Sequence, residues 1–137
     1  MKANAMSLVV VAGMSAFSAH AAPLPGAPVT VVGTAAGTAR ASNRSSGCPG
    51  YIVDENDYEF SLDMARSSLR LRTESSKDLV LVVQLPDGSY RCDDDNGGNG
   101  QPLIEITSPQ LGTYRVWVGV WNIGVVADYR LIMSSDT

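Results

Sequence analysis

From Gly112 to Trp121 the chain reads Gly-Thr-Tyr-Arg-Val-Trp-Val-Gly-Val-Trp, with Tyr114, Val116, Val118 and Val120 alternating against Arg115, Trp117, Gly119 and Trp121. A strict period of two places each set on its own side of a pleated strand, whereas a helical period of 3.6 would scatter the aliphatic set around the axis. The aliphatic set is expected to face a core. The same alternation recurs in Tyr58, Phe60 and Leu62 against Glu59, Ser61 and Asp63, and in Leu69 and Leu71 against Arg70 and Arg72. Leu79 to Leu85 departs from it as a nearly continuous, valine-rich apolar run, the pattern of a strand covered on both faces.

Turn chemistry separates these runs. Pro86-Asp87-Gly88 closes a tight hairpin, proline setting the first turn dihedral and glycine accepting the positive one. Pro109 to Gly112 and Asn122-Ile-Gly124 mark two further turns. Val29 to Val32, Ser89 to Cys92, Leu103 to Thr107 and Ala127 to Met133 supply the remaining strands, and Gly33 to Ser46 reads as a loose connection. About eight strands, no helix and no internal repeat predict one all-β domain, an antiparallel, jelly-roll-like β-sandwich.

The N-terminus narrows the compartment. Lys2, the apolar stretch Leu8 to Phe17 and the small-x-small triplet Ala19-His20-Ala21 have the layout of a secretory signal over residues 1–21. The apolar stretch falls far short of the roughly 20 residues of a membrane span, so the mature chain is expected to carry no transmembrane segment. Cleavage near Ala21 would leave residues 22–46 as an N-terminal segment with a candidate first strand, then a sandwich domain over 47–137. A periplasmic or secreted location follows.

Export has chemical consequences. His20 is the sole histidine and would leave with the signal, so the mature chain builds neither a Ser-His-Asp or Cys-His nucleophile nor a histidine-ligated zinc site. Without Lys2 the balance is nine basic against fourteen acidic side chains, which disfavours nucleic acid as a partner. Cys48 and Cys92, an even pair in an exported chain, read as a disulfide worth on the order of 3–4 kcal/mol by loop closure. The alternative is free thiols or a redox pair, although the two do not form a C-x-x-C motif.

The most polar stretch follows Cys92 directly. Asp93, Asp94, Asp95 and Asn96 offer oxygen ligands in four successive residues, and Gly97, Gly98 and Gly100 let the backbone fold tightly around them. Calcium takes six to eight such oxygens, so the stretch is a candidate calcium site, with Asp78 or Asp87 completing the shell. It lacks the EF-hand spacing, and a solvated turn is the alternative. Trp117 and Trp121, sharing a strand face with Arg115, form a candidate ligand face, with Tyr90 and Tyr129 as further aromatics; ordinary packing under a loop is the alternative. Asp54, Glu55, Asp57 and Glu59 allow a paired-carboxylate hydrolase reading, set against a solvated strand edge.

Asp78-Leu-Val-Leu-Val-Val-Gln-Leu-Pro-Asp-Gly-Ser-Tyr-Arg-Cys-Asp-Asp-Asp-Asn-Gly-Gly98, Gly112-Thr-Tyr-Arg-Val-Trp-Val-Gly119 and Cys48-Pro-Gly-Tyr-Ile52 together resemble the bacterial pre-peptidase C-terminal domain family in its stand-alone, secreted version. The resemblance spans about residues 29–134. It implies a β-sandwich accessory module without catalytic residues, found beside secreted peptidases and in some versions calcium-binding. Residues 29–46 hold no carboxylate, so a calcium site before the first strand has no counterpart here. The function expected is a non-catalytic, exported binding module whose partner is a secreted peptidase or an extracellular polymer, with no cofactor other than calcium. The alternatives are a peptidase-associated factor or hydrolase with an unrecognised carboxylate site, and a purely structural envelope protein.

Overall fold

The computed structural model describes residues 8–11 and 22–137; the expected cleavage triplet at 19–21 lies outside them. Twelve strands occur among the described residues: β1 (Leu8–Val11), β2 (Ala22–Pro23), β3 (Val29–Ala35), β4 (Ala39–Arg40), β5 (Tyr51–Ile52), β6 (Tyr58–Leu62), β7 (Ser68–Glu74), β8 (Leu79–Gln84), β9 (Tyr90–Asp93), β10 (Leu103–Thr107), β11 (Gly112–Val120) and β12 (Ala127–Asp136). The eight longer strands after residue 22 are those that alternation and turn chemistry predict. β2, β4 and β5 are two residues each, too short to carry a period, and β1 falls in the apolar stretch read as a signal.

One sheet has the order β1-β3-β12-β7-β10. In the other, β11 is central: β8 and then β9 lie on one side, and on the opposite side β6 and β5 follow one another along the same edge, flanked by β2 and β4. Among the described residues, only β1–β3 and β2–β6 pair in parallel. Both parallel strands come from the N-terminal stretch.

The alternating sets meet between the sheets. Val29, Val31, Leu69, Leu71, Leu131 and Met133 from the first sheet face Phe60, Leu81, Val83, Tyr114, Val116 and Val118 from the second, all buried. Tyr114 stacks flat on Phe60, ring centroids 5.0 Å apart, and its hydroxyl donates to the Gln110 carbonyl at 2.6 Å. Burial, with a smaller contribution from Asp87, pushes that hydroxyl up to about 12. Residues 22–46 belong to this sandwich and are not an appendage to it: Leu24 is buried and hydrogen-bonded to Ser61, and β3 pairs with β12 from Val29 to Ala35.

A second, smaller core lies on the outer face of the β11 sheet. Leu79 to Val83 are all buried because Val80 and Val82, on that outer face, are covered together with Trp117 and Ile52 by Ala41 and Cys48. Cys48 is bonded to Cys92, 44 residues away, so the disulfide clamps the 41–50 segment onto the sheet. Beneath it, Gly119 is obligatory: a Cβ there would strike the Tyr51 carbonyl oxygen and come within 2.9 Å of Val80. Asp57 closes a gap in the ladder. β6 ends opposite Val116 and β5 begins opposite Val120, and between them the Val118 N–H donates to the Asp57 carboxylate at 2.7 Å.

Candidate functional site

One end of the sandwich gathers three loops. Asp78, at the close of the β7–β8 loop, accepts the Trp121 N–H through its carbonyl at 3.1 Å, and Leu79 donates to the Gly100 carbonyl at 3.3 Å. The β11–β12 loop and the acidic β9–β10 loop thus both anchor at Asp78–Leu79.

In the acidic loop, Asp93 Oδ2 accepts the N–H groups of Asn96 and Leu103, each at 2.9 Å. This is the side-chain turn that aspartate forms with its own downstream backbone, and here it also pins the start of β10. One oxygen from each of Asp93, Asp94 and Asp95 lies within 4.8 Å of the others. Partial burial, reinforced by Asp95, Asp93 and Asp78, raises the Asp94 carboxyl above its ordinary range. The Asp78 carboxylate packs close to Gly100. Gln101, buried beneath the loop, accepts from Thr73 at 2.9 Å and donates to the Lys77 carbonyl at 2.7 Å, tying β7, the β7–β8 loop and the acidic loop together.

Asp87 does not join this shell. It lies at the opposite end of β8, about 20 Å of extended chain from Asp78. Its carboxylate accepts from the Ser89 N–H and hydroxyl and from Gln110, contacts that hold it below the ordinary carboxylate range.

The aromatic set is separated too. Trp117 is only 2% exposed, packed against Tyr90, with the Arg44 guanidinium 4.7 Å over its ring and its indole N–H donating to the Asp54 carbonyl at 3.2 Å. Arg115 stays in solvent and pairs with Glu59 at 3.1 Å. Trp121 is 42% exposed, beyond the end of β11. Tyr129 is buried on the inner face of β12 with its hydroxyl unpartnered.

The four carboxylates between 54 and 59 divide in the same manner. Glu59 faces Arg115, Asp54 and Glu55 are exposed, and Asp57 is committed to Val118. Burial, only partly offset by that hydrogen bond, pushes Asp57 up to about 6.

The β11–β12 loop, Trp121-Asn-Ile-Gly-Val-Val126, which crosses from one sheet to the other, is the feature that sequence reasoning treats as a mere turn. Ile123 is 56% and Val126 63% exposed beside Trp121, while Val125 packs back on the core. Four apolar residues in a six-residue turn are the signal that could have found it, since exposed turns are ordinarily polar. Contiguous exposed apolar surface on a folded protein marks interaction sites.

No helix among the described residues is long and apolar enough to cross a membrane. No family model matches the chain, and no curated protein matches it. Among solved structures, the chain is similar to the crystal structure of Aeromonas hydrophila PliG, a periplasmic lysozyme inhibitor of g-type lysozyme, at a TM-score of 0.45 and 12% identity, covering 95% of this chain and 97% of that chain.

Proposed function

We propose that this protein is an exported, non-catalytic β-sandwich module that binds another protein through the loop end built around Asp78. The observation that carries the reading is the β11–β12 loop, which joins the two sheets and holds Trp121, Ile123 and Val126 in solvent. Large apolar side chains on a fixed turn bind with little loss of conformational entropy, as interface anchors do. A non-catalytic role is also what the resemblance to pre-peptidase C-terminal domains implies. The test is sedimentation of the labelled mature chain in the exported fraction of its own cells, against Trp121→Ser/Ile123→Ser. A faster complex lost in the variant supports the reading. Identical sedimentation, or casein or ester hydrolysis by the pure chain that disappears in Asp93→Ala, overturns it.

A second reading concerns the acidic loop alone. Convergence of Asp93, Asp94 and Asp95 within 4.8 Å supports calcium as its occupant, with Asp78 a further carboxylate whose charge reaches Asp94. Thermal unfolding in EDTA and across a calcium series tests it.

A further inference from the structure

We infer that the partner of this loop end is a cationic protein surface that receives the β11–β12 loop in an apolar recess; this rests on the binding role proposed above. Two independent features of the same end point to it. The β11–β12 loop supplies an apolar prominence of three exposed side chains, Trp121, Ile123 and Val126. Around its base stand carboxylates: Asp78, whose carbonyl holds the Trp121 N–H, Asp94 and Asp95 in the acidic loop, and Asp128, which follows the β11–β12 loop on β12. Cations stand at this end too, Lys77 and Arg40, Arg72 paired with Glu74 at 2.9 Å, and Arg130 beside Asp128 and Glu74, but the carboxylates Glu74, Asp78, Asp93, Asp94, Asp95 and Asp128 outnumber them.

An apolar centre with a charged rim is the layout of a specific protein interface: the centre supplies affinity, the rim orientation and encounter rate. A rim of carboxylates selects a partner bearing lysine and arginine and repels acidic surfaces at the cost of juxtaposed like charge. The crowding already present in the rim favours the same partner: one oxygen from each of Asp93, Asp94 and Asp95 lies within 4.8 Å of the others, so an arriving cation relieves repulsion that the free protein carries. A polyanionic polymer would meet the opposite field, and a second copy of this chain would bring carboxylates against carboxylates.

The test places a photo-crosslinking amino acid at Ile123, or at Leu111 on the opposite end as control, in the full chain exported by its own cells. The captured protein is then purified and its affinity for the mature chain measured across sodium chloride concentrations, in EDTA. The expected result is capture of one basic protein from position 123 and not from 111. Its affinity should fall with salt, drop about tenfold or more in Trp121→Ser, and lose most of its salt dependence in Asp94→Asn/Asp95→Asn. Capture of an acidic protein, of a second copy, or of a partner indifferent to salt overturns the cationic assignment and leaves a binding role standing. Capture of nothing at 123, or equal capture at 111, overturns both.

Discussion

The carboxylate of Asp57 and the backbone N–H of Val118 stand 2.7 Å apart, and this one side chain replaces the strand partner that β11 lacks between β6 and β5. The Asp57 N–H bonds the Val116 carbonyl at 2.8 Å, so a single residue spans the interruption from both sides.

Asp57 makes stability depend on pH. Its folded value of about 6 lies above the ordinary aspartate value of 3.8, so the folded state binds the proton more tightly. Its stabilising contribution is complete below about pH 4 and is lost as pH rises through 6. Asp57→Asn keeps a carbonyl acceptor for Val118 and removes the titration. Urea melts should show the variant about 1–2 kcal/mol more stable than the parent at pH 7.5, a value discounted for partial solvent exposure, with no gain at pH 4. A gain that is equal at both pH values would place its cause elsewhere.

Reduction of Cys48–Cys92 should act on the outer core before the inner one. The bond closes a loop of about 45 residues and is worth roughly 3–4 kcal/mol. It also presses the 41–50 segment over Trp117. In a Trp121→Phe background, where Trp117 is the remaining indole, reduction should shift the emission to the red while strand circular dichroism persists. Unchanged emission in the reduced, folded protein would show that the cover stays without its clamp.

Gly119→Val tests the closeness of β5 to β11. The new side chain would collide with the Tyr51 carbonyl and with Val80. Overpacking of this kind costs about 1–3 kcal/mol, measurable as a lower urea midpoint. Trp121→Ser, at an exposed turn, should shift the same midpoint by no more than about 0.5 kcal/mol, so its effect on binding can be read without a folding defect.

Calcium held by the acidic loop would raise the melting temperature saturably. A ligand specific to the folded state contributes about 2.7 kcal/mol at 100 times its dissociation constant. Asp94→Asn should abolish the shift and Asp87→Asn should leave it intact, because Asp87 lies at the far end of β8. The raised Asp94 carboxyl makes calcium compete with a proton, so affinity should rise with pH over the acidic range. A melting curve indifferent to millimolar calcium would leave the loop a solvated turn.

How much was legible follows from the range of the forces involved. Alternation in β6, β7 and β11 and the apolar run of β8 are local patterns, and a period of two already assigns each side chain to a face. The eight longer strands and the composition of the inner core were therefore readable residue by residue, as was the cysteine pairing once only two cysteines were present. Trp117 and Trp121 show where that reading stops. They share parity on one strand, yet one is buried and the other exposed, because the cover over Trp117 comes from Ala41 to Cys48, brought there by a bond to Cys92. Asp78 and Asp87 were equal candidates for one shell until the length of β8 separated them. Asp57 was one carboxylate among four until two strand ends left Val118 without a partner. Burial by a distant segment, a distance along a strand and a gap in a ladder are all relations between residues remote in the chain. No local period encodes them; the packing of the two sheets creates them.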